Sequence, residues 1–312
     1  MTTAASRRDL SGVVTQLNER VVGRRREIEV VVAALGAGRH LLIEGPPGTG
    51  KSTLLRSVAD VLGVGFEFVE GNAELTPARL VGHFDPARVL AEGYDPEVFI
   101  DGPLATAMRN GSLLYLEEIN RIPEETLNVI VTVMSEAELH VPRLGRIAAE
   151  TGFVIVAAMN PYDAVGTARI SGAIYDRVCR LAVGYQSADE EADICNRTVA
   201  GVDCDWVAKV VELVRATRNH PDLRVGSSVR GAIDMVAVAS ELAALRNTTI
   251  EDRSVSLDAA LVALSGRVRI REGGGRSPDD IIAELWESVF AMSASNAEAD
   301  EGKAGAPTGA VS

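Results

Sequence analysis

Gly45-Pro46-Pro47-Gly48-Thr49-Gly50-Lys51-Ser52 fills every fixed position of the pattern G-x-x-x-x-G-K-[ST], and no other stretch constrains the fold as much. Such a loop belongs between a strand and a helix. Here an apolar run, Leu41-Leu42-Ile43, enters it, and Thr53-Leu54-Leu55-Arg56-Ser57-Val58 leaves it with helical character. Glycines let the backbone wrap so closely that its N–H groups converge on phosphate. The following helix N-terminus adds partial positive charge. Lys51 is expected to reach the β- and γ-phosphates of a nucleoside triphosphate, and the Ser52 hydroxyl to hold Mg²⁺. The candidate binding stretch is thus Gly45, Pro46, Pro47, Gly48, Thr49, Gly50, Lys51, Ser52 and Thr53. The motif implies a nucleotide but not the use to which its energy is put.

The rest of the chain alternates. Leu113 to Leu116 and Phe153 to Ala158 are continuous apolar runs of the buried, parallel-sheet type. Phe66 to Glu70 and Cys179 to Val183 read as further strands, with helical stretches at Leu10 to Leu17, Arg24 to Leu35, Leu104 to Arg109 and Pro123 to Glu136. This order predicts an α/β fold, a parallel sheet covered on both faces. After Ala188 the strands stop. Helices at Glu190 to Val199, Trp206 to Arg218, Val229 to Leu245, Leu257 to Val268 and Asp279 to Met292 predict a smaller all-helical domain. The expected organisation is a flexible N-terminus at 1–8, a nucleotide-binding domain at 9–186, a helical domain at 187–295 and a disordered Ala/Gly/Glu-rich tail at 296–312. Pro77 to Pro103 reads as irregular, which in a compact domain points to function or to small elements of its own. Leu139 to Arg146 has the pattern of a hairpin.

Composition narrows the classes. The chain has 312 residues, 46% of them hydrophobic, which suits a folded protein of about two domains. No apolar run approaches the roughly 20 residues that span a bilayer, and no apolar core follows the basic residues near the start. A cytoplasmic protein with no membrane span is expected. Three cysteines without a C-x-x-C pair and four scattered histidines suggest neither a disulfide framework nor a zinc site. The net charge of −13 argues against a surface that coats nucleic acid or anionic lipid.

A phosphate loop needs acidic partners. Glu117-Glu118 ends the apolar run Leu113 to Leu116, and in open α/β sheets the ligand-handling groups lie at the carboxyl ends of strands. The first carboxylate could position Mg²⁺ and the second orient the attacking water; the alternative is a solvated acidic loop. Asn160 ends the next run. Its amide could hold water or the γ-phosphate, or it could be a turn residue before Pro161. Arg177 and Arg230 have the side chain that grips a transition-state phosphate, although a lone arginine is more often a surface charge.

Together these pieces resemble an AAA+ ATPase of the MoxR family, from about Leu17 to Leu285. Val22-Gly23-Arg24 is similar to the family's opening box, Leu42 to Ser52 to its Walker A, and Glu117-Glu118-Ile119-Asn120-Arg121 to its Asp-Glu-Ile-Asn-Arg Walker B. Asp101-Gly102-Pro103-Leu104 is similar to the Gly-Pro before Walker B, and Met159-Asn160-Pro161 to sensor 1. The resemblance implies catalytic roles for Lys51, Glu118 and Asn160, for Arg177 as an arginine finger acting on a neighbour, and for Arg230 as sensor 2 on a lid helix. It implies that Val22 and Gly23 line the adenine site, with Ser52 and Glu117 as metal ligands. The segments at Arg88 to Ile100 and Leu139 to Arg146 would be inserts facing a pore or partners. The resemblance also implies ATP and Mg²⁺ as cofactors, a ring (usually a hexamer), chaperone-like remodelling of a client protein, and a partner with a von Willebrand factor A domain. Two positions depart from the family. Glu117 stands where it has Asp, and Ala-Met-Asn-Pro stands where it more often has Thr-Gln-Asn-Pro. Slower hydrolysis, with ATP driving assembly of a scaffold, is therefore an alternative, as is a nucleic-acid motor.

Overall fold

In a computed structural model the chain is described over residues 10–161, 170–273 and 275–291. The expectations for residues 1–8 and 296–312 lie outside the described residues. The chain divides into two compact units between Gly184 and Tyr185.

The first unit runs α1 (Leu10–Arg20), α2 (Arg25–Gly36), β1 (Leu41–Glu44), α3 (Lys51–Leu62), β2 (Phe66–Glu70), α4 (Pro77–Val81), β3 (Gly82–Phe84), α5 (Pro86–Glu92), β4 (Phe99–Asp101), α6 (Pro103–Asn110) and β5 (Leu113–Glu117). It continues with α7 (Glu124–Glu136), β6 (Glu138–Val141), β7 (Gly145–Ala148), β8 (Val154–Met159), α8 (Gly172–Tyr175) and β9 (Cys179–Ala182). Five strands form one sheet in the order β2-β5-β8-β1-β9, and every pairing in it is parallel. Successive residues of a strand point to opposite faces. Leu41, Ile43, Tyr115, Val154 and Val156 pack with α1, α2 and α3 on one face. Leu42, Leu114, Leu116, Ile155 and Ala157 pack with α6 and α7 on the other. Both faces are covered, so the strands show no polar alternation.

The stretch from Pro77 to Pro103, read from sequence as irregular, is built of short elements: α4, β3, α5, a 3₁₀ turn at Pro96–Val98, and β4. β3 and β4 pair antiparallel, as do β6 and β7. The Arg143 guanidinium in the β6–β7 turn stacks on the Tyr94 ring at 3.8 Å, tying the hairpin to that insert.

The second unit comprises α9 (Ala188–Thr198), α10 (Cys204–Asn219), β10 (Leu223–Val225), α11 (Val229–Arg246), α12 (Arg253–Leu264), β11 (Arg269–Ile270) and α13 (Pro278–Trp286). It is helical, with one short antiparallel ladder between β10 and β11 that the sequence reading did not contain. Its own core, including Val210, Leu213, Met235, Val236, Ala260 and Ile281, makes it a separate packed body.

Candidate functional site

β1 is buried over its whole length and delivers the chain into the loop from Gly45 to Gly50. Glycine is required at several points. A Cβ on Gly45 would lie 2.2 Å from the Val183 carbonyl oxygen, and Gly48 and Gly50 have φ of 73° and 77°. α3 then begins at Lys51 with no side-chain cap and no acidic residue in its first turn. Its first N–H groups and dipole therefore face the loop without a competing carboxylate. The Lys51 ammonium donates to the carbonyls of Gly45 (3.0 Å) and Pro46 (2.9 Å), which folds it over the loop. Thr49 is buried and donates from Oγ1 to the Pro46 carbonyl at 2.9 Å. Pro47 and Thr53 are exposed.

Ser52 Oγ donates to Glu117 Oε1 at 2.9 Å. The two expected metal ligands are thus brought together from the start of α3 and the end of β5. Tyr115, two residues before Glu117 on the same side of the strand, is fully buried, with its hydroxyl 3.2 Å from Ser52 Oγ. Burial raises the phenol's pKa well above 10, against a smaller downward pull from the bond with Ser52, and the Glu117 carboxylate raises it further. Tyr115 stays protonated and can only steady the Glu117 carboxylate, not compete with it as an anion.

Glu118 is the N-cap of a 3₁₀ turn over Ile119–Arg121 and sits in the left-handed region at φ 51°. For a residue other than glycine this is strained, and such residues gather at functional sites. Its carboxylate pairs with Arg121 Nε at 3.0 Å. Asn160 follows β8 directly, beside the point where the Gly45 N–H donates to the Met159 carbonyl (3.1 Å). Val22 and Gly23 form the turn between α1 and α2. Arg177 follows α8, and its Nε donates to Ser135 of α7 (2.5 Å) and its Nη1 to the Ala173 carbonyl (2.8 Å). It is held on α7, not on the loop, in the described contacts of this chain. Arg230 lies in the first turn of α11 in the second unit and is exposed.

Two further residues of this region have no role assigned by the sequence. Glu44, the last residue of β1, is 5% exposed; it accepts from Tyr175 Oη at 2.9 Å and from Arg180 Nε at 2.7 Å. Arg24 is buried, and its Nη2 donates to the Thr49 carbonyl of the loop at 2.9 Å. Both lie in stretches that carry the MoxR resemblance, Arg24 in Val22-Gly23-Arg24 and Glu44 in Leu42 to Ser52, but the sequence alone gives neither a partner.

Residues 40–178 match the AAA domain of the dynein-related subfamily. The fold of this stretch is that of an AAA domain. Similar proteins include the uncharacterized protein YeaC of Bacillus subtilis (strain 168), 28% identical over 266 residues, covering 76% of this chain and 80% of that one. An uncharacterized protein of Staphylococcus aureus (strain USA300) is 33% identical over 159 residues, covering 50% of this chain and 60% of its own. Among solved structures, RuvB of Thermotoga maritima superposes with a TM-score of 0.56 at 16% identity, covering 79% of this chain and 72% of that one. A Cytophaga hutchinsonii protein, provisionally described as an ATPase, does so with a TM-score of 0.51 at 20% identity, covering 89% and 93%. At these identities the structural likeness is one of fold: the AAA+ sheet with its helices, followed by a helical part. No helix among the described residues is long and apolar enough to cross a membrane.

Proposed function

We propose that the protein is a MoxR-type ATPase that binds and hydrolyses Mg·ATP at the subunit interfaces of a cytoplasmic ring, usually a hexamer, and uses the energy to remodel or mature a client protein or complex. A partner with a von Willebrand factor A domain belongs to the same reading. The observation that carries it is the Ser52–Glu117 pair beside Lys51. Two neighbouring ligands of an octahedral ion with 2.0–2.1 Å bonds stand about 2.9 Å apart, and these hard oxygens are spaced that way before any ion is considered. The donor set therefore fits Mg²⁺.

Ser52 and Glu117 would hold the ion, which would offset the charge that develops on the phosphates. Lys51 exchanges the carbonyls of Gly45 and Pro46 for phosphate oxygens. The loop N–H groups and the α3 N-terminus hold the remaining phosphate charge. Glu118 accepts a proton from, or orients, the attacking water, and Asn160 fixes that water or the γ-phosphate from the adjacent strand end. Arg177, held on α7, serves the neighbouring subunit's phosphate, and Arg230 serves from the start of the lid helix α11. The test is Glu118→Gln. Such a variant should bind ATP with wild-type affinity and lose at least about 100-fold in turnover, the scale of general-base catalysis. Turnover that survives the change removes Glu118 from its role.

One observation favours slow basal turnover, the property of a nucleotide-driven scaffold. Glu118 is paired with Arg121, so it must leave that partner to act on water. A nucleic-acid motor, as RuvB is described, has the same fold, but the net charge of −13 speaks against it.

A further inference from the structure

We propose that Tyr115 is a positioning residue that orients the Ser52 hydroxyl as a cation ligand and so sets the site's preference for Mg²⁺ over larger ions. This rests on reading Ser52 and Glu117 as metal ligands. In the apolar run Leu113 to Leu116, Tyr115 carries the one side-chain polar atom, and the residue is fully buried. A buried hydroxyl needs a partner, which a phenylalanine in its place would not. The partner is Ser52 Oγ at 3.2 Å. The direction of that bond follows from counting protons. A serine hydroxyl has one proton and two lone pairs. Ser52 gives its proton to Glu117 Oε1 at 2.9 Å, and a carboxylate only accepts. The Tyr115 hydroxyl is therefore the donor to Ser52 Oγ. Donation runs from Tyr115 to Ser52 to Glu117. It takes up the serine proton and one lone pair, and it leaves a single lone pair for an ion. Without the phenol, the serine side chain could choose among its staggered rotamers with both lone pairs free.

Packing fixes the donor itself. Tyr115 stands opposite Phe68 where β5 pairs with β2. The Phe68 and Phe66 rings lie 5.7 and 6.0 Å from its own, both tilted to it. The Arg56 guanidinium covers Phe66 at 4.9 Å and Phe68 at 5.3 Å. Arg56 is four residues beyond Ser52 in α3, on the same side of the helix. The helix that carries the ligand is thus tied to the strand whose rings hold the phenol. An oxygen held in one place suits Mg²⁺, which demands near-ideal octahedral geometry. It brings less to Ca²⁺, whose longer bonds tolerate irregular ligand positions.

The experiment titrates MgCl₂ and, separately, CaCl₂ into the full-length protein with a fluorescent ATP analogue, and measures the analogue's affinity in EDTA as well. Tyr115→Phe removes one oxygen and keeps the ring that packs on Phe66 and Phe68; a thermal melt checks that it folds. It should raise the half-saturating Mg²⁺ about three- to tenfold, the scale of one lost hydrogen bond. The half-saturating Ca²⁺ should change less than about twofold on the same scale, and the affinity in EDTA should stay as in the wild type. Ser52→Thr has a branched Cβ that restricts rotation of its hydroxyl. Added to Tyr115→Phe, it should restore at least half of the lost preference for Mg²⁺. An unmoved Mg²⁺ half-point in Tyr115→Phe overturns the proposal, as does an equal loss for both ions, a fall in affinity in EDTA, or no recovery with Ser52→Thr. A wild type that binds no nucleotide, or binds it without response to either metal, would instead sink the Mg·ATP reading.

Discussion

Glu117 extends one methylene further than the aspartate expected from the MoxR resemblance, a difference of about 1.5 Å. The longer side chain does not overshoot. Its Oε1 accepts from Ser52 Oγ at 2.9 Å, and the buried Tyr115 hydroxyl lies on the same two groups. The carboxylate is thereby set in place by a hydroxyl from α3 and a phenol from its own strand. Glu117→Asp should therefore weaken the apparent affinity for Mg²⁺ about three- to tenfold, the scale of one lost hydrogen bond, and should not raise turnover. A titration of ATPase rate against Mg²⁺ checks this. A faster variant would show that the extra methylene, not Glu118's pairing with Arg121, limits hydrolysis. Glu118 itself sits where the chain turns at the end of β5, in the left-handed region, with its carboxylate on Arg121.

At the scale of elements, the insert between α3 and α6 shows what periodicity misses. Its helices are too short for a 3.6-residue pattern to emerge, yet each start is written locally. Thr76-Pro77, Asp85-Pro86 and Asp95-Pro96 are cap-plus-proline pairs, and in each the first side chain accepts from a backbone N–H of the turn it opens. Another element-scale feature is His40, which precedes β1 and has its side chain against β8. Its Nδ1 accepts from the Ile155 N–H at 3.0 Å, and the Phe153 ring lies edge-on at 6.3 Å. Burial, helped by Arg39, holds its pKa below the ordinary 6.5. As pH falls below 6.5 the unfolded chain takes up this proton before the folded one. The stability that neutral His40 supports is thus present above pH 6.5 and lost as pH drops from there toward the folded value. Thermal melts between pH 8 and 5.5 should fall more steeply for the wild type than for His40→Asn, whose amide oxygen can replace Nδ1 as the acceptor. Equal slopes would remove His40 as the cause.

For the whole molecule the central question is whether Arg177 works on its own chain's nucleotide or on another's. In the described chain it is held by Ser135 and Ala173, while Tyr175 and Arg180 on either side are held by Glu44, the residue before the phosphate loop. An arginine fixed in this way suits presentation to a neighbour. Arg177→Ala should bind ATP normally and lose at least about 1000-fold in turnover, as fingers do. Lys51→Ala should be inactive through lost binding. Mixed, the two variants should recover activity, because an Arg177→Ala site then lies beside a subunit that still supplies Arg177. No recovery on mixing would confine the residue to its own chain. The phosphate loop, the acidic pair after a buried strand and the order of strands and helices were all legible in the sequence, because each is set by neighbouring residues: strand, glycine turn, helix start. The partners of Arg24, Glu44 and Tyr115 were not. They lie far along the chain, at Thr49 and Gly184, at Tyr175 and Arg180, and at Ser52. The sequence by itself determined which chemistry the loop could perform and the class of fold that must present it. Only tertiary packing decided which charged side chains are buried against it, because burial and pairing depend on which strands become neighbours, and that is a property of the assembled sheet.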